Sequence, residues 1–349
     1  MDWESSPAEP WRQAGLAAPA CVFCASRGRR TVADVAEMEA RARFLSGFFR
    51  RRARAGAPPE ALLDKADFTH SFPAAVVACA GCGLLYRCPR PHPDAILRRY
   101  VADRYGRERL DSLFETERPF YERKVRSLLR WLPPGSRVLE LGSFVGAGLD
   151  AARAAGWDAV GVDVGVEVTE YARARGLRVL RGELADAEVP PRSLDGVLIW
   201  NCLDQIPDPW PVLRRAHALL RPGALLVARV PNGDCFRLST RLLHARLPEP
   251  LLDLIRRAMA LNNLLVFPYL YGYTPRHLRA LLQASGFDAQ RFAGDTLVPL
   301  ADRHTLPRAA AEEKRLKWAI RALARLAGPA TGGTARYAPW IEVFARRRA

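Results

Sequence analysis

The chain has 349 residues, a formal charge of +16 and an apolar fraction of 49%. This is long enough and apolar enough for a full α/β domain plus a smaller unit, which excludes a disordered or fibrous protein. No apolar run approaches the ~20 residues a membrane helix needs, and seven cysteines behind the acidic start Met1-Asp2-Trp3-Glu4 argue against an exported disulfide framework, so a cytoplasmic enzyme is the expectation.

Residues 1–20 are rich in Pro, Ala and Glu and are expected to be poorly ordered. Cys21-Val22-Phe23-Cys24 and Cys79-Ala80-Gly81-Cys82 follow. Two such knuckles in a reducing compartment read as one tetrahedral Zn²⁺ site held by the thiolates of Cys21, Cys24, Cys79 and Cys82. A redox pair is the alternative, but neither knuckle follows a strand of a βαβ unit. His70 and Cys88 are spare donors, read here as a surface histidine and a loop cysteine. Cys202 and Cys235 read as small packing residues.

Between the knuckles, Val35, Met38, Ala42, Leu45 and Phe49 recur at helical spacing, predicting a helix over Thr31 to Arg54 with Thr31 as its cap. Arg50, Arg51, Arg52 and Arg54 then lie at its C-terminal end, where cations suit the dipole. The other reading is a phosphate-binding patch. Arginine is abundant along the whole chain, so the basic balance reads as compositional bias, with nucleic acid as the alternative partner. Residues 21–92 are taken as a zinc-binding module with a helical insertion.

Residues 93–132 are helical in pattern, with Tyr100, Tyr105 and Tyr121 able to close over a ligand or to pack in a core. From residue 133 to 349 apolar strands alternate with short helices, which predicts a doubly wound, Rossmann-like sheet of seven strands, the last antiparallel. Val138, Leu139 and Leu141 belong to a strand buried on both faces. It runs into the Gly-rich turn Gly142-Ser143-Phe144-Val145-Gly146 and then a helix, whose free N–H groups face whatever binds there. The dinucleotide fingerprint would need glycine where Phe144 and Ala147 stand. Asp163 ends the second strand roughly 20 residues beyond Gly142, where such folds place an acid against ribose hydroxyls. Residues 233–273 interrupt the sheet, with an apolar helix expected over Leu251 to Leu265. Thr274-Pro275 starts a helix, and strands are expected at Phe287 to Phe292 and Pro339 to Arg346.

Glu140-Leu141-Gly142-Ser143-Phe144-Val145-Gly146 resembles the first motif of class I S-adenosylmethionine-dependent methyltransferases, acidic-x-Gly-x-Gly-x-Gly, with Phe144 in place of the middle glycine. Leu194-Asp195-Gly196-Val197, Leu203 to Pro209, Leu219 to Gly223 and Pro231-Asn232 are similar to the later landmarks, in order. Cys79-Ala80-Gly81-Cys82-Gly83-Leu84-Leu85-Tyr86 with Pro89-Arg90-Pro91 resembles the segment before the catalytic domain in a zinc-binding subset that includes sugar C-methyltransferases and that tolerates bulk at the position of Phe144. The extra C-terminal domain of the sugar enzymes is not seen here, which counts against a sugar acceptor.

The resemblance implies a site. Gly142, Ser143, Phe144 and Gly146 would meet the methionine part of S-adenosyl-L-methionine, with Glu140 supporting the turn. Asp163 and Val164 would take the ribose, Glu183 and Leu184 the adenine. Asn201 would lie nearest the methyl group. Gln205 stands where many relatives have histidine; no catalytic base is assigned, and Gln205, Tyr271, Tyr273 and His277 are the candidates, each with a structural role as the favoured alternative. Residues 93–132 would cover the cofactor and 233–273 would wall the substrate. The expected activity is methyl transfer to a small molecule. An RNA base methyltransferase and a non-catalytic S-adenosylmethionine-binding scaffold are the alternatives.

Overall fold

The computed structural model describes residues 15–66, 72–326 and 335–349. Strand β1 (Leu16–Ala17) pairs with β5 (Arg90–Pro91), so order begins inside the segment expected to be poorly ordered; residues 1–14 and His70 lie outside the described residues. β2 (Arg29–Ala33), β3 (Ala75–Cys79) and β4 (Leu85–Cys88) form an antiparallel sheet. Helix α1 (Val35–Arg50) lies between β2 and β3 in the chain.

Thr31 does not cap that helix. It sits in β2 opposite Val77, and Asp34 is the cap, its side chain accepting from Glu37 N–H at 2.8 Å. A sheet partner 46 residues downstream overrides the local helical spacing at the first turn. The arginines that follow are engaged on this chain: Arg52 pairs with Glu312 and lies over the Phe48 ring, and Arg54 donates to Thr305 O.

α2 (Pro93–Ala102) and α3 (Arg107–Leu128) lead into the main sheet. Its strands are β6 (Arg137–Leu141), β7 (Asp158–Asp163), β8 (Val179–Arg181), β9 (Leu194–Trp200), β10 (Leu220–Pro231), β12 (Phe287–Asp295) and β13 (Trp340–Arg347). The order is β12-β13-β10-β9-β6-β7-β8. β6 pairs in parallel with both β7 and β9, and β13 runs antiparallel between β10 and β12. Leu139, Val197 and Leu226 are fully buried, as expected for strands covered on both faces. The covering helices include α4 (Ala147–Ala154), α5 (Val166–Ala174) and α6 (Pro209–Leu219).

After β10 come α7 (Gly233–Leu243), capped by the Asn232 side chain, and α8 (Glu249–Ala260). α8 stops short of the expected Leu265 because Asn263 turns into the left-handed region, φ +58°. The strand β11 (Tyr271–Gly272) then leaves the main domain and pairs with Tyr86 and Leu85 of β4 as a fourth strand of the cysteine-bearing sheet. α9 (Pro275–Ala284) is capped by Thr274, and α10 is Pro307–Leu326. Among the described residues no helix is long and apolar enough to cross a membrane.

Candidate functional site

The turn after β6 is built from left-handed backbone. Gly142, Phe144 and Gly146 have φ of +70°, +47° and +77°. A Cβ on Gly142 would lie 2.8 Å from Cys202 Sγ, and one on Gly146 would lie 2.5 Å from Leu177 Cδ1, so both positions exclude a side chain. Phe144 takes this conformation with a side chain, at a cost on the order of 1 kcal/mol. Two contacts hold it there. Its N–H donates to Asp163 Oδ2 at 2.8 Å, and its ring meets Tyr105 edge-on at 5.3 Å. Asp163 Oδ1 accepts a second backbone bond, from Gly165 N–H at 2.9 Å. Burial pushes the Asp163 carboxyl up, and these N–H groups pull it back.

This turn opens on a cavity of about 630 Å³ at the carboxyl ends of β6, β7 and β9. Glu140, Gly142, Ser143 and Phe144 line it from one side, Asp163, Val164, Glu183 and Leu184 from another, and Asn201 and Gln205 from β9 and the turn beyond. Gly146 stands behind the wall, where it starts α4. Ser143 Oγ and Glu140 Oε2 are buried without a hydrogen-bond partner. The Glu140 carboxyl is raised well above its ordinary value by burial and then by Glu117 and Asp163. The pocket therefore offers unsatisfied polar groups to a ligand beside a close-packed backbone turn, and it fits S-adenosyl-L-methionine.

Asn201 is locked from below. It has φ +65°, its Oδ1 accepts from Arg229, and its Nδ2 donates to the Tyr121 hydroxyl at 3.0 Å. Arg229 is completely buried between the rings of Phe120 and Trp340 and also pairs with Asp295 at 3.2 Å. Among the described residues seven non-glycine residues have positive φ, and four of them, Asp64, Phe144, Asn201 and Asn263, line this one cavity. Strain concentrated in this way marks a functional site.

The four candidates for catalysis do not come together. Gln205 lines the cavity, but both ends of its amide are engaged: Oε1 accepts from Tyr100 at 2.8 Å and Nε2 donates to Asn201 O at 2.7 Å. Tyr271, Tyr273 and His277 lie outside it. Tyr271 is in β11, where its hydroxyl donates to Pro207 O and accepts from Arg90, both at 2.7 Å. Tyr273 is fully buried behind it. His277 bonds Thr274 and, at 3.1 Å, the carbonyl of Cys82. Pairing of β11 with β4 turns all three toward the cysteine sheet.

Acids that the sequence did not single out lie in and behind the cavity wall. Asp64 and Glu117 line the cavity beyond the turn. Burial raises Asp64 to about 6, Arg109 lowering and Asp103 raising it further. Burial and then Asp64 raise Glu117 to about 8 against Arg109 and Arg229. Asp204, behind Gln205, is fully buried with neither oxygen bonded, and burial raises it to about 8. Asp64 stands just after the short turn Pro59–Leu62 and Glu117 is one acid on an arginine-rich helix, so neither carried a local signal.

The four cysteine sulfurs of Cys21, Cys24, Cys79 and Cys82 lie within 4.8 Å of one another, with Cys21–Cys82 at 3.6 Å and Cys24–Cys79 at 3.4 Å. Tetrahedral thiolates around zinc sit about 3.8 Å apart. Burial raises the Cys79 thiol, but the N–H groups of Cys82 and Gly81 and the neighbouring thiols bring it down to about 6. The donor set fits a Zn²⁺ ion. Cys88 is not part of it; its sulfur accepts from Arg29 at 3.2 Å.

The sequence profile of a family described as methyltransferase domain matches residues 113–291, just over half of the chain. The C-methyltransferase NovU of Streptomyces niveus is 32% identical over 165 residues, 46% of this chain and 38% of that protein. The ubiquinone biosynthesis O-methyltransferase of Xanthomonas campestris is 33% identical over 107 residues, 28% of this chain and 44% of that protein. These matches thus span well under two thirds of the relatives' own length. A solved S-adenosylmethionine-dependent methyltransferase from Mesorhizobium loti aligns over 67% of this chain and all of its own, at 16% identity and a TM-score of 0.43.

Proposed function

Because the chain belongs to the methyltransferase-domain family matched over residues 113–291, we propose that it transfers a methyl group from S-adenosyl-L-methionine to a small-molecule acceptor. The observation that carries this reading is the Gly142–Gly146 turn bonded to Asp163 at the mouth of the cavity. Bound there, the cofactor would supply a methyl group on a sulfonium, already activated for displacement by an acceptor's nucleophile. The protein's part is mainly positioning. Gly142 and Ser143 leave room for the methionine chain, Asp163 keeps lone pairs for the ribose hydroxyls, and Glu183 and Leu184 face the adenine. Asn201, fixed by Arg229, sets the Tyr121 hydroxyl at the junction between donor and acceptor. α2 and α3 roof the cavity and exclude water. The enclosure suits a small acceptor better than a nucleic acid, and Arg52 and Arg54 are engaged on this chain.

We further propose that Cys21, Cys24, Cys79 and Cys82 hold a structural Zn²⁺ ion. Calorimetric titration of S-adenosylmethionine and S-adenosylhomocysteine into the parent and Asp163→Ala tests the main reading. Both ligands should bind the parent and lose about tenfold or more, roughly 1.4 kcal/mol, in the variant. A folded protein that takes up neither ligand overturns it.

A further inference from the structure

The amino ends of the parallel strands, opposite the cavity, carry a cluster of basic side chains. His217 lies in the last turn of α6, and its ring packs on Gly286, where an added Cβ would lie 2.7 Å from Nε2. The same ring meets Phe287 edge-on at 5.4 Å. Phe287 stands opposite Arg347 in the β12–β13 ladder, so the two side chains share a face. Arg348 donates its backbone N–H to Gly286 O at 2.9 Å. Arg192, just before β9, donates its backbone N–H to Ala218 O at 2.9 Å, next to His217, and holds a left-handed φ of +51°. Three arginines and a histidine thus meet where β13 ends and β9 and β10 begin. β9 runs seven residues from this end to Asn201, so roughly 20 Å separate the cluster from the cavity.

No carboxylate neutralises these charges. α6 and α9, the helices that flank the cluster, contain no Asp or Glu. Asp195 is taken by Arg221 at 2.7 Å and by the Arg137 N–H. Asp288 stands opposite Arg346 in the ladder, on the other face from Arg347. Burial, and then the charges of Arg347, Arg192 and Arg348, hold His217 below its ordinary value, with no acid acting against them. His217 is therefore neutral near pH 7 and offers a ring N–H rather than a charge. Arg348 spends Nε and Nη2 on the carbonyls of Phe287 and Gln283. Arg347 has no such outlet. It is 7% exposed, and its Nε and Nη1 are buried with no hydrogen-bond partner. A buried guanidinium left unmatched in this way is costly unless something binds it. Its Nη2 shares an edge of the planar fork with each of the two unmatched nitrogens, which suits the oxygens of an oxyanion. The exposed Arg192 and the half-buried His217 provide the approach from solvent.

We propose that Arg192, His217 and Arg347 form a second ligand site, built for a doubly charged phosphoryl group, either free phosphate or a small phosphomonoester. Arg347 supplies the fork, Arg192 a second charge and His217 a ring N–H, while Arg348 adds its field from behind. Several cations around one group favour a dianion over a single carboxylate. The site lies away from the cavity and does not depend on the methyltransferase reading.

The test is a titration of inorganic phosphate into the full-length protein, followed by NMR of nitrogen-15-labelled histidine rings. It is run at mildly alkaline pH, where phosphate is a dianion, with potassium chloride at equal ionic strength as the control. The His217 signal, assigned by its loss in His217→Gln, should move saturably with a dissociation constant on the order of 1 mM. Glycerol 3-phosphate should move the same signal, and the tighter of the two ligands names the source. Acetate should bind at least about tenfold more weakly. Arg192→Ala and Arg347→Met should each weaken phosphate by about tenfold or more. Should Arg347→Met not fold, the exposed Arg192→Ala decides alone. No saturable movement, chloride or acetate acting as phosphate does, or unchanged phosphate affinity in Arg192→Ala overturns the proposal. So does a short single-stranded oligonucleotide that displaces phosphate at micromolar concentration, because the face would then be a nucleic-acid surface. Adding S-adenosylhomocysteine to fill the cavity should leave the titration unchanged; its failure to bind at all would count against the methyltransferase reading and not against this site.

Discussion

Asp163 Oδ2 accepts the backbone N–H of Phe144 at 2.8 Å while Phe144 sits at φ +47°. The acid at the end of one strand thus holds the turn at the end of its neighbour in a conformation a side chain normally avoids. Phe144→Gly would remove the left-handed cost, on the order of 1 kcal/mol, and lose the ring contact with Tyr105, about as much again. Stability by chemical denaturation should change by less than about 1 kcal/mol, with S-adenosylhomocysteine still bound. A loss above about 3 kcal/mol would mean the ring does far more than pack on Tyr105.

Arg229 should be among the most sensitive positions in the fold. It is completely buried, is stacked between Phe120 and Trp340, and bonds Asn201, Asp295 and Thr296 O. Arg229→Met leaves Asp295 with Lys124 at 2.7 Å but frees Asn201. Breaking a buried pair of this kind costs roughly 3–5 kcal/mol. A denaturation midpoint equal to the parent's would contradict this.

Asp204 gives a pH signature. Its carboxyl ionises near 8 in the fold and near 3.9 in an unfolded chain. The folded state therefore binds this proton more tightly, and the contribution is fully present below about pH 4 and lost as pH rises toward 8. The slope is about 1.4 kcal/mol per pH unit in that window. Asp204→Asn should remove this decline, so its stability relative to the parent should improve steadily between pH 5 and 8. A difference between the two proteins that is flat with pH would refute it.

Metal removal should reach the cavity. Purified protein is expected to carry about one zinc per chain by elemental analysis. Stripping it with a chelator should lower the melting temperature and S-adenosylhomocysteine affinity together. The route is physical: Cys82 O bonds His277, β4 pairs with β11, and Tyr271 in β11 donates to Pro207 on the cavity wall. Metal-free protein with unchanged ligand affinity would break that link.

The strand, turn and acid at 137–163 were legible because each carries a local signal: an apolar run, glycines where no side chain fits, and a carboxylate at a fixed distance. The four cysteines were legible as two spaced pairs, and the structure gathers them although 55 residues separate Cys24 from Cys79. Thr31 was misread because strand pairing with Val77, a tertiary fact, outweighs helical spacing. For Tyr271, Tyr273 and His277 the favoured structural role agrees with their buried places, but the sheet they serve was not legible, because nothing local announces that β11 joins β4. Asp64 and Glu117 look like ordinary surface acids; only the meeting of a loop with α3 turns them inward.

The two-residue strand at Tyr271–Gly272 also changes what counts as a part of this protein. A cut near residue 92, natural by sequence, would strip Leu85 and Tyr86 from their partner strand, Val22 O from the Trp210 indole, and Gly83 O from Arg237. The catalytic half would be left with a raw apolar flank, and the cysteine half with an open sheet edge. The fragments would thus not behave as exchangeable cassettes. A graft of the cysteine unit onto another methyltransferase must carry the 270s segment with it, and natural variation in the two stretches is expected to be tied together.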